Sequence, residues 1–226
     1  GTEMCIRDRF ITSTHDYVLF FTNRGKMYRM KGYEIPETGR AARGSHVVNL
    51  LPIEKDEKIS AMIRVDEVEN DSYLVMVTRN GTIKRTALSA YRNVRKGGII
   101  AINLEEGDEL AWVRNTTGED DLIIATRQGV AIRFAESDVR PMGRTATGVR
   151  AIRLDEGDEV IAMATCEEGG YLLTVTENGQ GRRTALGEYR TQNRGGRGVR
   201  NYDCEGKGTL VAGVRVAVSY THLRAH

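Results

Sequence analysis

The chain has 226 residues, 40% hydrophobic and 28% charged, with a formal net charge of +2. That length supports a sizeable core, and no apolar run is long enough to cross a bilayer as a helix. A sum this near neutral names no partner, so any case for a polyanion must come from where the charges sit.

Residues 1–9 match nothing else in the chain and read as a non-native leader; residues 218–226 read as a non-native tail. Between them, residues 10–217 carry a fourfold pattern. Thr22-Asn23-Arg24-Gly25, Thr78-Arg79-Asn80-Gly81, Thr126-Arg127-Gln128-Gly129 and Thr176-Glu177-Asn178-Gly179 each separate two β-prone runs, with their glycines 56, 48 and 50 residues apart. Such a quartet predicts a hairpin, because the tight turn needs positive φ, and a period near fifty predicts a repeat architecture. In the first repeat, strands are expected at 17–21 and 26–30. A polar connection with Arg40 and Arg43, a strand at 47–50, an acidic-basic turn at 54–58 and a strand at 59–63 follow.

The second repeat copies that order with strands at 73–77 and 82–86, a basic glycine loop at 92–98, a strand at 99–104, an acidic turn at 105–109 and a strand at 110–113. The third has 122–125, 130–134, a loop at 140–148, a strand at 149–154, an acidic turn at 155–159 and a strand at 160–164. The fourth has 171–175, a return through Arg182 and Arg183, the glycine-rich loop Gln192-Asn193-Arg194-Gly195-Gly196-Arg197-Gly198, and strands at 199–202 and 210–216. Stretches 87–91, 134–138 and 185–189 read as brief helical connectors that seat Tyr91 and Tyr189 against a blade. Four strands per fifty residues is the arithmetic of a propeller blade. Each sheet is apolar on both faces, so neighbouring blades must stack.

No catalytic constellation emerges. His15 and His46, the histidines inside the repeats, lack partners at ligand spacing, and Cys5, Cys166 and Cys204 are too few and too far apart for a zinc knuckle or a disulfide scaffold. A reducing cytoplasm fits them. The acidic turns lack the alternating oxygen donors of a calcium loop and read as solvated turns. None of the glycine loops has a nucleotide-binding context. The basic residues are more informative. The fourth residue after each turn glycine is arginine: Arg29, Arg85, Arg133 and Arg183. Repeats place equivalent residues on equivalent surfaces, so a ring of blades would collect a basic band, with the acidic turns elsewhere on each blade. The phosphate contacts expected are Arg29, Lys84, Arg85, Arg95, Lys96, Arg133, Arg144, Arg182, Arg183, Arg194 and Arg197. Arginine forks onto phosphate oxygens, and glycine lets backbone N–H groups approach them. Duplex DNA binding, a protein-interaction propeller and, with least support, an enzyme are the readings these residues leave open.

Three stretches narrow the choice. Thr22-Asn23-Arg24-Gly25-Lys26-Met27-Tyr28 followed by Tyr33-Glu34-Ile35-Pro36-Glu37, the repeat member 78–86, and the box-like loop 192–198 together resemble the C-terminal domain of the DNA gyrase A subunit over residues 10–217. The loop has Asn193 where the family's glycine-arginine box has arginine. The topoisomerase IV counterpart shares the architecture and stands as the alternative. The resemblance implies an all-β β-pinwheel, a propeller-like ring with strands exchanged between blades, of which about four of six blades are present. It implies that the rim binds and wraps double-stranded DNA, directing ATP-dependent negative supercoiling by the holoenzyme. It also implies a bacterial cytoplasmic, chromosome-associated setting and no membrane. The partners implied are the gyrase B subunit, together with a second A subunit, in a heterotetramer. ATP and Mg2+ belong to that holoenzyme; no cofactor and no catalytic tyrosine are expected in this stretch.

Overall fold

Each hairpin is built by the threonine and the glycine of its quartet. The computed structural model describes residues 16–34, 49–66 and 71–218. The hairpins are β1 (Asp16–Thr22) with β2 (Lys26–Lys31), β4 (Tyr73–Thr78) with β5 (Thr82–Ala87), β8 (Asp121–Thr126) with β9 (Val130–Ala135), and β12 (Gly170–Thr176) with β13 (Gly181–Ala185). The carbonyls of Thr22, Thr78, Thr126 and Thr176 accept the amide of the turn glycine, at 3.0 to 3.2 Å. Their hydroxyls accept the amide four residues on, at 3.1 to 3.3 Å. All four threonines are buried, so the turn's polar groups are satisfied from within.

Three of the four sheets are completed by the next repeat. β3 (Ile59–Asp66), β7 (Leu110–Thr116), β11 (Val160–Thr165) and β15 (Val211–Val218) lie beside the first strand of their own hairpin. The two-residue strands β6 (Ile99–Ile100), β10 (Val149–Arg150) and β14 (Val199–Arg200) cross to the hairpin of the preceding repeat. The sheets therefore run β3-β1-β2-β6, β10-β5-β4-β7, β11-β8-β9-β14 and, with three strands, β13-β12-β15. Register is fixed by Met27 opposite Ile99, Ile83 opposite Val149 and Ala131 opposite Val199. This is the blade-and-exchange architecture of a β-pinwheel.

The cores lie between blades. Along β4, Leu74 and Met76 face back to join Leu19, Phe21 and Met27, while Val75 and Val77 face forward to join Ile124, Ile132 and Ile152. Because both faces are buried, the strand reads as a continuous apolar run rather than an alternating one. The connectors are 3-10 turns at Leu88–Tyr91, Glu136–Asp138 and Leu186–Glu188. Tyr91 and Tyr189 are buried as expected, and the Tyr91 hydroxyl donates to the Ala101 carbonyl at 3.0 Å.

Three expectations are corrected. The strands at 99–104, 149–154 and 199–202 stop after two residues, because the chain then bends over the preceding repeat's turn. The amides of Ala101 and Ile102 both donate to the Gly25 carbonyl, those of Ala151 and Ile152 to Gly81, and those of Asn201 and Tyr202 to Gly129. In the expected strand at 47–50, Asn49 and Leu50 are helical. Val47 and Val48 lie outside the described residues. A short helix, α1 (Cys204–Lys207), was not expected; Asp203 caps it by accepting the Gly206 amide at 3.0 Å. Strand β15 takes in Val218, which pairs with Gly170. The leader, His15, His46, Arg40 and Arg43 lie outside the described residues.

The exchange makes a quantitative demand on one glycine. A Cβ on Gly129 (φ 88°) would sit 2.2 Å from the Tyr202 carbonyl oxygen, whereas at Gly179 (φ 83°) nothing lies within 4 Å. Both alanine variants carry the left-handed backbone strain of about 1–2 kcal/mol. Gly129→Ala must also displace the crossing segment. Urea unfolding should show Gly129→Ala losing clearly more stability than Gly179→Ala; equal losses would mean that the crossing contact contributes nothing.

Candidate nucleic-acid interface

The recurring arginine lies on the second strand of each hairpin, opposite Leu19, Val75, Ile123 and Leu173. Its guanidinium covers an aromatic ring at the start of the first strand: Arg29 over Tyr17 at 4.6 Å, Arg85 over Tyr73 at 4.5 Å and Arg183 over Tyr171 at 4.6 Å. In the third repeat Asp121 replaces the tyrosine, and Arg133 pairs with it at 2.9 Å. The same side chains reach forward. Arg29 donates to the Arg92 carbonyl at 2.7 Å, Arg85 to Val139 at 2.8 Å and Arg133 to Leu186 at 2.9 Å. The arginine therefore ties its blade to the following repeat. Stacking and a carbonyl acceptor both suit its planar, always-charged fork.

This role removes two residues from the phosphate set. Arg85 is 6% exposed, with Glu136 4.0 Å from its guanidinium. Glu136 is itself fully buried and accepts from the Thr116 hydroxyl and the Gly118 and Asp120 amides at 2.6 to 2.8 Å. Lys84 is 0% exposed, and its ammonium donates to the Ala101 and Arg144 carbonyls. Burial, with the Arg144 charge adding to it, pushes the Lys84 amine down to about 7. Neither side chain has surface to offer a phosphate. The remaining expected contacts keep some. Arg29, Arg95, Lys96, Arg182, Arg183 and Arg197 are exposed; Arg133, Arg144 and Arg194 are partly buried. Arg182 spends one donor on the Asn201 carbonyl at 3.2 Å.

The glycine loops pack onto the outer segment of the preceding repeat. Arg144 donates to the Ile100 carbonyl, and Arg194, its counterpart, to Arg150 at 2.6 Å. The Asn103 amide donates to Ala146 at 3.3 Å, and the Arg153 amide to Gly196 at 2.8 Å. In the box-like loop the Gln192 and Gly195 amides donate to the Arg133 and Ala151 carbonyls, at 2.7 and 2.8 Å. Those two N–H groups serve packing rather than an incoming anion, and Gly198 is needed because a Cβ there would lie 2.5 Å from the Ala131 carbonyl.

What the stacked loops leave outside is a strip of cations. Arg95, Lys96, Arg140, Arg190 and Arg197 are exposed and make no ion pair among the described residues, and the same holds for Arg150 and Arg153 beside them. Arg150 and Arg153 escaped the sequence reading; the signal was the arginine shared by Arg150 and Arg200 at the second exchanged position. The cations at the hairpin turns are matched instead. Arg24 pairs with Glu54 and Asp56, Arg79 with Glu109 at 2.9 Å, and Arg127 with Glu159 and Glu177 at 3.6 and 2.8 Å. Among the described residues no group of three or more His, Cys, Asp or Glu is placed to hold a metal ion, and no helix is long and apolar enough to cross a membrane. Burial pushes the Cys166 thiol up to about 11, away from reactive thiolate.

The family model described as the DNA gyrase C-terminal domain, beta-propeller, matches four times, at residues 16–66, 72–117, 120–167 and 170–217. The chain belongs to that family. The DNA gyrase A subunit of Clostridium acetobutylicum is 56% identical over 144 residues, covering 64% of this chain and 17% of that protein. The DNA gyrase A subunit of Staphylococcus epidermidis is 51% identical over 138 residues, covering 61% and 16%. The chain thus spans about a sixth of the length of the curated relatives it matches. Among solved structures, the C-terminal domain of DNA topoisomerase IV superposes with a TM-score of 0.83 at 31% identity, covering 91% of this chain and 65% of that one. A DNA gyrase A C-terminal domain superposes with a TM-score of 0.73 at 28% identity, covering 92% and 67%.

Two outcomes test the buried cations. Arg85→Glu should fail as a binding probe because it destabilises the fold by about 3–5 kcal/mol, leaving Glu136 buried without its partner; urea unfolding measures this. For Lys84, the unfolded chain holds a proton over the window from about 7 to the ordinary lysine value, where the folded chain has released it. Stability should therefore rise with pH across that window. Lys84→Met puts an apolar side chain where the third repeat has Ile132, and it should flatten the rise. A slope identical to that of the parent chain would show that Lys84 does not titrate there.

Proposed function

We propose that this chain binds duplex DNA along the strip of loop cations and wraps it, acting as the C-terminal accessory part of a DNA gyrase A subunit. The observation that carries the reading is the segregation of charge: turn arginines are neutralised by the acidic turns, whereas Arg95, Lys96, Arg140, Arg190 and Arg197 face outward without counter-charge among the described residues. A phosphate backbone is a ligand that such uncompensated charges on successive loops fit without base readout. Arg29, Arg144, Arg183 and Arg194 flank the strip and add to it. Bending a 20–30 bp site by 40–90° costs on the order of 1–6 kcal/mol, so several phosphate contacts are needed to offset it. Fold similarity does not separate gyrase from topoisomerase IV; the identity of 51–57% to gyrase A subunits favours gyrase. On this reading the wrap feeds strand passage in a cytoplasmic, chromosome-associated holoenzyme. Its other members are the gyrase B subunit, together with a second A subunit, and ATP and Mg2+ act outside this stretch.

The test has a control within the molecule. Each phosphate neutralised contributes about 0.9 to the slope of log affinity against log salt. Arg140→Ala with Arg190→Ala should weaken duplex binding at about 0.1 M salt and reduce that slope by about 2. Arg79→Ala with Arg127→Ala should leave the slope unchanged. Ligating nicked circular DNA in the presence of the chain should shift the linking number if the strip wraps the duplex. Equal effects of the two double variants would remove the strip from the contact surface.

A further inference from the structure

Two glycine loops lie on equivalent segments of the preceding repeat but are fastened by different donors. In loop 190–198 the Gly196 carbonyl accepts the Arg153 amide at 2.8 Å; in loop 140–148 the Ala146 carbonyl accepts the Asn103 amide at 3.3 Å. The later loop also donates: the Gly195 amide reaches the Ala151 carbonyl at 2.8 Å, with Gly195 at a φ of 85°. Thr145 stands at that place in the earlier loop. A β-branched residue is strained at such a φ, and among the described residues only glycines take it. The Ala101 carbonyl, counterpart of Ala151, is met instead by the Lys84 ammonium and, at 3.0 Å, by the Tyr91 hydroxyl. The same ammonium donates to the Arg144 carbonyl of the loop. One interface pairs an N–H with a C=O; the other brings two carbonyls onto one buried cation. Lys84 lies opposite Met76, and its equivalent opposite Ile124 is Ile132, under the loop that has Gly195 and needs no cation.

Loop 140–148 carries exposed Arg140 and partly buried Arg144 to the basic strip. We propose, on the DNA-binding reading above, that Lys84 is a positioning residue of the interface: its ammonium fastens this loop in the pose that meets phosphate, so duplex binding and protonation of Lys84 favour one another. A charged donor makes hydrogen bonds roughly twice as strong as a neutral one. Loss of the proton therefore weakens both bonds and removes a positive charge from beneath the loop. The charged and titratable groups that face Lys84 are Arg144, on the loop, and Tyr91, on the connector, with its ring centroid 6.0 Å away. Arg144 stays charged, and burial pushes the Tyr91 hydroxyl up to about 12, so neither changes state near neutrality. Burial and the Arg144 charge hold the Lys84 amine at about 7 in the free chain. Phosphates at the loop offset the Arg144 charge, so the bound chain keeps the proton to higher pH. The gain in affinity is full below about 7 and is lost as pH rises through the bound value; between the two, binding takes up a proton.

Duplex titrations across pH test this, with calorimetry in two buffers of different ionisation enthalpy to count protons. The affinity of the parent chain should fall about fivefold or more from about pH 6 to about pH 9, with proton uptake on binding near pH 8. Lys84→Met should bind at every pH as the parent does at high pH, with no proton uptake near pH 8 and a salt slope lower by about 1 at pH 6. The proton count on the parent decides the matter even where the variant folds poorly. A parent chain with no proton uptake, or a Lys84→Met variant that follows the parent's pH profile, would overturn the proposal and leave the DNA-binding reading standing. A parent chain without salt-dependent duplex affinity would overturn both.

Discussion

A turn glycine whose carbonyl accepts two amides from the next repeat is the contact on which the rest of this molecule depends. Gly25, Gly81 and Gly129 each make it, with Ala101 and Ile102, Ala151 and Ile152, and Asn201 and Tyr202. The hydrogen bonds alone are worth about 1 kcal/mol each. Their larger effect is to draw Ile102 and Ile152 into the core, where full burial of such a side chain contributes roughly 1.5–3 kcal/mol. No repeat completes its own sheet, so stability becomes a property of neighbouring pairs rather than of single blades. The blade-to-blade arginines extend the same logic: Arg29, Arg85 and Arg133 stand on one blade and donate to the next.

The division of labour among the cations follows from that packing. Arg85, on the second hairpin strand, is held between the Tyr73 ring of its own hairpin and the Val139 carbonyl of the next repeat. An arginine at the hairpin turn meets the acidic turns; these exposed pairs add little stability, about 0–1 kcal/mol each, but cancel charge. The glycine loops lie beyond both and keep their charge. A net charge of only +2 therefore coexists with a locally basic face, and the field at that face matters more than the sum.

Much of this was legible in the sequence. The Thr-x-x-Gly quartets placed all four hairpins, because a two-residue turn and a glycine at positive φ leave little choice. The spacing near fifty gave the blades, and the apolar runs gave cores on both faces. Strand 99–104 was overextended because Ile99, Ile100, Ala101 and Ile102 are uniformly apolar; only the partner turn at Gly25, some 75 residues away in sequence, shows where pairing stops. Lys84 and Arg85 were misplaced for a related reason. A basic dipeptide on a strand reads as solvent-facing, and the carbonyls of Ala101, Val139 and Arg144 that bury it come from other loops. Helix α1 has four residues, too few for a periodic signal.

Arginine-selective modification read by mass spectrometry, with and without duplex DNA, is the most direct test that buried arginines join blades while loop arginines meet the ligand. Arg85 should resist reagent in both states. Arg95, Arg140, Arg190 and Arg197 should react in the free chain and become protected by DNA, with Arg79 and Arg127 unaffected. Protection centred on Arg79 and Arg127, or ready modification of Arg85 in the folded chain, would contradict the account.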